Sequence, residues 1–522
     1  MSNGSGKGIF ARKSVADFES DVGFAGGLKR TLGRWHLTAL GVGATIGAGI
    51  FATTGTAIVG DPLRPGAGPA IIFSFLLTAV ACGFAALCYA EFAAMVPIAG
   101  SAYTYSYAAL GEFVAWIIGW DLIIEYAVGN IGVAIGWSGH FRELLTHFGL
   151  NLPAWLSTDY RSAHDAFNVL NAGGGADATT QFLASAWQNA PQLFGLPLII
   201  NLPAALVVFV VTIILIIGIK ESANTTSAMV VLKVGIILFF LAIGVFLINP
   251  DNWNNQATGG FAPNGFRGIS AAAAIIFFAY IGFDAVSTAA EETKNPAKDM
   301  PFGIIMSLLI CTVLYIALSA VMTGMAPWQS LGTPEPMITA LQQAEGPPAL
   351  LTFSRFIIAL GAVIAMGSVL MVFQLGQPRI FFSMSRDGLL PKFFSRVHPR
   401  FRTPYIGTII TGTFVATFAA FANIAEVVDL TNIGTLFAFV LVSAGVIFLR
   451  RSDPDRPRPF RVPWVPWTPI ISILACAYLM FQLPLITWIR FGIWLLLGLV
   501  IYFLYGYRKS VLRNRRQAVT GD

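Results

Sequence analysis

The chain has 522 residues, of which 56% are hydrophobic and only 11% charged, with a mean hydropathy of +0.71. A soluble globular chain is about 25% charged, so this composition excludes an ordinary soluble domain and points to a protein that lives mostly in lipid. The formal charge of +6 calls for no nucleic acid, because membrane-protein loops accumulate Lys and Arg on the cytoplasmic side.

Residues 1–30 are polar and glycine-rich and are expected to form a cytoplasmic tail rather than a cleaved signal. A spanning helix needs about 20 mostly apolar residues. Twelve segments meet that need: 35–58, 68–95, 104–141, 196–219, 225–249, 268–291, 301–326, 351–386, 404–424, 426–450, 468–487 and 490–508. The third and eighth are long enough to tilt strongly or to project from the bilayer. With the N-terminus in the cytoplasm, 24 of the 32 Lys and Arg residues fall on the cytoplasmic side and six outside. That asymmetry predicts an even number of crossings and both termini in the cytoplasm. The loop over 142–195 lies outside and, with Gly173-Gly174-Gly175, reads as a flexible excursion able to hold short helices. Residues 510–522 form a basic tail.

The first crossing carries Gly41-Val42-Gly43-Ala44-Thr45-Ile46-Gly47-Ala48-Gly49-Ile50-Phe51. Each glycine costs a helix about 1 kcal/mol relative to alanine. Two readings follow: close helix packing, or a break that exposes backbone to a ligand. Unwound backbone survives in a membrane only against protein or a wet cavity. The sixth crossing has a matching interruption, Phe277-Phe278-Ala279-Tyr280-Ile281-Gly282-Phe283-Asp284. The two fall at corresponding places in five-helix halves of opposite topology, and paired interruptions point to a transporter binding site. A half-helix beginning after the first break would aim N–H groups and a positive dipole end at a carboxylate. Carbonyls freed at Phe277 to Ala279 would accept from an ammonium. Together they suit an α-amino acid.

These residues resemble the amino acid–polyamine–organocation (APC) superfamily, and bacterial members of its cationic amino acid transporter family in particular. The resemblance rests on Thr31-Leu32-Gly33 with Gly41–Phe51, on Phe278–Ala285 followed by Glu291-Glu292-Thr293-Lys294-Asn295-Pro296, and on Gly376-Gln377-Pro378-Arg379-Ile380 leading to Ser385-Arg386-Asp387-Gly388-Leu389-Leu390-Pro391. It implies an all-α integral membrane fold of 12 transmembrane helices. Residues 31–450 would form a five-plus-five inverted-repeat core with broken helices 1 and 6, and residues 451–509 two peripheral helices. It also implies alternating-access uptake of amino acids. Carried over, the substrate-binding positions are Thr45, Ile46, Gly47, Ala48 and Gly49, then Phe277, Phe278, Ala279, Tyr280, Ile281 and Phe283. Where some members place a hydroxyl residue, this chain has Ala48, which leaves a carboxylate to main-chain N–H groups.

Lys233 lies in the middle of the fifth crossing, where a lysine is a functional hypothesis by default. In similar proton-coupled relatives a lysine here stands where sodium-coupled ones hold a cation, so Lys233 is the proton-coupling candidate; the alternative is a structural prop. Asp121 and Glu125 share a face of the third crossing. Glu125 is expected to attract a cationic side chain, and Asp284 to cap the half-helix after the second break. Tyr280 and Phe283 are candidate gates, and Met366, Ser368 and Met371 candidate pocket liners. Glu91 and Glu112 are candidates for a gate ion pair.

Cys82, Cys88, Cys311 and Cys476 all fall in apolar runs, and neither they nor the five histidines show metal-ligand spacing. No cofactor and no metal site is predicted, and no catalytic motif. The expected partners are an amino acid, protons and membrane lipids, without nucleic acid; a small membrane subunit or a homo-oligomer is left open. The reading is a secondary amino acid transporter of the cell (inner) membrane, proton-coupled, for cationic or small neutral L-amino acids. The alternatives are an obligate exchanger, a polyamine carrier, or a channel or membrane receptor.

Overall fold

The computed structural model describes residues 8–13, 31–95, 101–174, 178–218 and 223–514. Most of the first tail and residues 515–522 lie outside them, as does the side chain of Glu291. Nine helical stretches among the described residues are long and apolar enough to cross a membrane. Three other predicted segments fold as shorter apolar helices, Leu202–Ile217, Tyr405–Phe421 and Trp467–Phe481. A helix of that length rises about 25 Å, against a hydrocarbon core of about 30 Å. Their starts are set by residues that cannot continue a helix backward. Asn201 accepts the Ala204 N–H, and Pro404 and Pro466 precede the other two.

In chain order the helices are α1 (Arg34–Thr45), α2 (Thr54–Val59), α3 (Ile71–Met95), α4 (Ser101–Ala109), α5 (Glu112–Ile123), α6 (Gly129–Thr146), α7 (Tyr160–Asn171), α8 (Ala178–Asn189), α9 (Leu202–Ile217), α10 (Ala223–Gly244), α11 (Gly265–Ile276), α12 (Pro296–Met325), α13 (Pro336–Gln343), α14 (Pro348–Arg386), α15 (Tyr405–Phe421), α16 (Ile424–Ser452), α17 (Trp467–Phe481) and α18 (Leu485–Ile501). Two short antiparallel hairpins, Gly60–Asp61 with Arg64–Pro65 and Gln192–Leu193 with Leu196–Pro197, are the sheet structure among the described residues. The α12 helix packs along α1 and α3, α14 along α6, α15 along α9, and α17 along α16. The core is thus one continuous apolar interior between helices.

Charged residues collect at the two ends of this bundle. On the terminal face, which carries both described chain ends, Lys13 pairs with Asp387 at 2.7 Å, and the Tyr103 hydroxyl donates to the same carboxylate at 2.6 Å. Glu112 is met by Arg513 at 2.8 Å and by the hydroxyls of Tyr502 and Ser510. Glu91 is met by Arg450 at 2.6 Å. Glu91 and Glu112 therefore each bind an arginine from the second half of the chain. On the opposite face Arg64 pairs with Asp429 at 2.8 Å and Arg142 with Glu335 at 3.2 Å. Burial raises the Glu335 carboxyl above its ordinary range, and the Arg142 guanidinium opposes that shift.

The long loop is more ordered than its glycines suggest. Within it, α7 and α8 pack on each other over Ala163, Ala186 and Ile199. Asp159 caps α7 by accepting the Ser162 N–H. Arg161 pairs with Glu426 at the start of α16, and Asn423 donates to Ser162 at 2.9 Å. Gly173 and Gly174 follow the end of α7, and the aromatic groups Tyr160, His164 and Trp187 fasten α7 and α8 together.

Asp387→Ala would remove the buried carboxylate shared by the Lys13 ammonium and the Tyr103 hydroxyl. Breaking one partner of a buried pair costs about 3–5 kcal/mol, so the melting temperature in detergent should fall by several degrees. Arg161→Ala, at an exposed pair worth under about 1 kcal/mol, should leave it nearly unchanged.

Candidate functional site

The first helix runs to Thr45, where Ile46 turns extended (φ −74°, ψ 100°). The chain restarts at Ala48, through a π-helical turn over Gly49–Thr53, into α2. The first break therefore falls at Ile46-Gly47, within the predicted stretch. The N–H groups of Ile50 and Phe51 both return to the Gly47 carbonyl at 3.2 Å. Those of Gly47, Ala48 and Gly49 head the new half-helix, where N–H groups have no partner from within it.

The carbonyls that close the first half are held by side chains. Lys233 Nζ, on α10 and 1% exposed, donates to the Gly43 carbonyl at 2.5 Å and the Ile46 carbonyl at 3.1 Å. The Tyr315 hydroxyl donates to the Thr45 carbonyl at 3.1 Å. An ammonium at the negative end of a half-helix is favourable in both charge and hydrogen bonding.

The second break sits slightly later than expected. After α11 the chain continues as a tighter 3-10 turn through Phe277–Tyr280. It opens at Ile281 (φ −62°, ψ 131°) and Gly282 (φ 120°, ψ −18°), then enters a 3-10 run over Phe283–Glu292. Asn432 on α16 donates to the Ala274 and Ile275 carbonyls at 2.7 and 3.2 Å. Among the described residues no side-chain donor reaches the carbonyls from Phe278 to Ile281. Gly282, not Asp284, occupies the cap position. Neither oxygen of Asp284 has a hydrogen-bond partner, so the expected cap is not formed.

The two breaks meet backbone to backbone. A Cβ on Gly49 would overlap the main chain of Ala279, and one on Gly282 would lie 2.7 Å from the Ala44 carbonyl oxygen. Gly282 also has a positive φ that side chains disfavour. The close-packing reading of the glycine stretch thus holds at some of its glycines, while the break itself falls at another. Gly41 and Gly49 allow close packing, against Ser307 and Ala279 respectively. Gly47 instead has the Val369 side chain as its nearest neighbour, from 3.0 Å.

Around the first break lies a wall that the sequence reading missed. Gly129, Gly132, Gly136 and Gly139 form a small-residue stripe along α6. A Cβ on Gly136 would lie 3.2 Å from the Ala48 Cβ and 3.5 Å from the Met366 sulfur. One on Gly132 would lie 3.3 Å from the Phe278 ring. The signal was legible as a three-four-three spacing of glycines, which keeps them on one helix face. Met366 belongs to this wall. Ser368 is half-buried and donates to the Ala365 carbonyl, and nothing places Met371 at the break.

Glu125 lies in a second π-helical turn, Ile124–Val128, between α5 and α6. Such turns recur at functional sites. It is 3% exposed and lies beside Asp284, so the third crossing and the second break meet through two acids. Its Oε2 and the Thr45 hydroxyl have no hydrogen-bond partner. The aromatic candidates face elsewhere. Tyr280 donates to the Phe75 carbonyl at 3.0 Å and packs on Tyr315, while Phe277 and Phe283 pack on Phe439.

Membrane-crossing helices organised around two facing backbone breaks define a multi-pass helical membrane protein of the transporter kind. Residues 32–504 match the family model of amino acid permeases. The chain is 45% identical to the branched-chain amino acid permease BcaP of Bacillus subtilis (strain 168), over 97% of this chain and 99% of that protein. It is 44% identical to a methylthioribose transporter of the same organism, over 93% and 95%. It is also 38% identical to the vacuolar cationic amino acid transporter 2 of Arabidopsis thaliana, over 83% of this chain and 62% of that one. The chain belongs to the amino acid permease family, within the APC superfamily.

Gly47→Leu should crowd the first break, where a Cβ would lie 3.0 Å from the Val369 side chain, a neighbour that can turn aside where main chain cannot. Ligand-induced thermal stabilisation should vanish while the unliganded melting temperature stays close to that of the parent. Gly49→Ala, set against main chain, should lower that temperature instead.

Proposed function

We propose that the protein is a secondary transporter that takes up amino acids together with protons by alternating access. On this reading the twelve predicted segments, including the three short helices, all cross the membrane. The first ten form the five-plus-five inverted repeat, and the terminal face is cytoplasmic. The carrying observation is the contact of two broken helices with Lys233 bound to the carbonyls of the first. In support, relatives are named as amino acid permeases and transporters.

The N–H groups of Gly47, Ala48 and Gly49 bind the substrate carboxylate at the positive end of the restarted half-helix. The carbonyls from Phe278 to Ile281 accept from its ammonium. Thr45, with an unpartnered hydroxyl, ends the first half-helix just before those N–H groups. The side chain extends toward Ala48, Gly136 and Met366. Lys233 supplies the positive charge that holds the first break in its binding geometry. When it loses its proton, the charge interaction with the two carbonyls weakens and the half-helix is freed to move. The ion pairs of the two faces open in turn, Arg64–Asp429 on the outer side and Lys13–Asp387 and Glu91–Arg450 on the inner.

Two side-chain readings follow from different observations. The unpaired acids Glu125 and Asp284 favour a cationic amino acid. The apolar wall of Ala48, Val369 and Met366 favours a neutral one, as the name of the branched-chain relative does. We assign cationic and small neutral L-amino acids, with Glu125 as the reader of positive charge.

In proteoliposomes Lys233→Ala should abolish accumulation driven by a pH gradient, and Lys233→Arg should retain at most exchange. Normal gradient-driven accumulation in the alanine variant would overturn the coupling role. Glu125→Gln should weaken uptake of L-arginine more than that of L-alanine. Equal losses would leave the neutral reading standing and remove Glu125 from side-chain recognition.

A further inference from the structure

Asp121 has no role in the site described above, yet it is 1% exposed and its Oδ1 has no hydrogen-bond partner. It precedes Glu125 by one helical turn, so the two carboxyls lie on one side of the third crossing. Glu125 in turn lies beside Asp284 at the second break. Among the described residues no lysine, arginine or histidine forms an ion pair with any of the three. The groups around Asp121 and Glu125 are Tyr126 on their own helix, Tyr89 on α3, Asp284 after the second break, and Gly434 and Thr435 on α16. None of these is a cation.

The surroundings of Asp121 suit a proton better than an ammonium. Its Oδ1 lies 3.0 Å from the point where a Cβ on Gly434 would stand, so the main chain of α16 closes over it. The three acids are also not arranged to hold a metal ion. Buried carboxyls without a basic partner share protons rather than all ionise, because each added charge meets both desolvation and its neighbours' repulsion.

We propose that Asp121 is a proton-release station that takes a proton from the Glu125–Asp284 pair and passes it toward the terminal face. This rests on the proton-coupled reading and deepens it. In the step the O–H bond of the Glu125 carboxylic acid breaks and its electron pair stays on Glu125. The proton bonds to the Asp121 carboxylate, and the summed charge of the two is unchanged. The direction follows from the helix. Asp121 stands about 13 Å along the axis from Glu112, whose pair with Arg513 lies at the terminal face. Gly119, between them, lies against Tyr103, whose hydroxyl donates to Asp387 on that face. Asp121 is a positioning and relay group for protons, not a substrate contact.

The test uses the full chain in liposomes, with L-arginine and L-leucine as separate radiolabelled probes. Net accumulation under an imposed pH gradient is compared with counterflow at equal pH. Asp121→Asn should lower accumulation at least about tenfold while counterflow is unchanged, and Asp121→Glu should restore accumulation. An asparagine variant that accumulates like the parent overturns the proposal. So does one in which accumulation and counterflow fall together without rescue by glutamate, which marks a packing role. A parent protein that shows counterflow but no gradient-driven accumulation overturns the proton-coupled reading itself, and the assignment of Asp121 with it.

Discussion

A membrane gives free backbone groups no water, so a helix that stops inside it must be satisfied by the protein itself. The first break shows how this chain meets that demand. Three of the carbonyls at the end of α1 are taken, two by Lys233 and one by Tyr315. An unpaired buried carbonyl costs about 1–3 kcal/mol, so removing the lysine would leave a debt at the most constrained point of the fold. Among the described residues no side chain accepts from the N–H groups of Gly47, Ala48 and Gly49 across the break. The asymmetry leaves the carbonyl side closed and the N–H side open, which is the arrangement an anionic group can complete.

The second break depends on the first through contact of main chain with main chain. Gly49 admits Ala279 and Gly282 admits Ala44. Neither approach tolerates a side chain, so movement of one broken helix is transmitted to the other. The periphery is built differently. There the helices are joined by ion pairs at the two faces, some from α16 and α14 to distant loops. Such pairs can separate and re-form, whereas the central glycine contacts have no substitute partner.

Much of this arrangement was legible in the sequence because the membrane restricts the options. Apolar length predicted the long helices, and the glycine stretch at Gly41–Gly49 with its counterpart at Phe277–Asp284 located both breaks to within a few residues. Three segments came out shorter than expected: the first starts late, at the Asn201 cap, and the other two end early, at Phe421 and at Phe481 shortly before Pro484. Composition averaged over a window does not register such ends. The second break moved to Ile281-Gly282 because a 3-10 turn carries the helix on through Tyr280. Asp284 failed as a cap since Gly282 had taken that position, a matter of φ and not of residue type. The stripe of glycines on α6 was visible but unread, because small residues acquire meaning only when the facing group is known. Side-chain directions were the least legible: Tyr280 is turned to Phe75 by a hydrogen bond between elements far apart in the chain.

The distribution of unmet polar groups also separates two kinds of charge in the interior. Lys233 is paired with carbonyls at the first break. Asp121, Glu125 and Asp284 each retain an oxygen without a hydrogen-bond partner. Unmet buried groups in a native structure usually mark a reservoir of strain or a functional centre. Here they lie beside the second break and along one side of the third crossing, while Lys233 serves the first. A ligand spanning both breaks would therefore touch the neighbourhood of the lysine with its carboxylate and that of the acids with its other end. On the proton-coupled proposal one bound molecule would reach both neighbourhoods at once, while the packed glycine contacts hold the two breaks together.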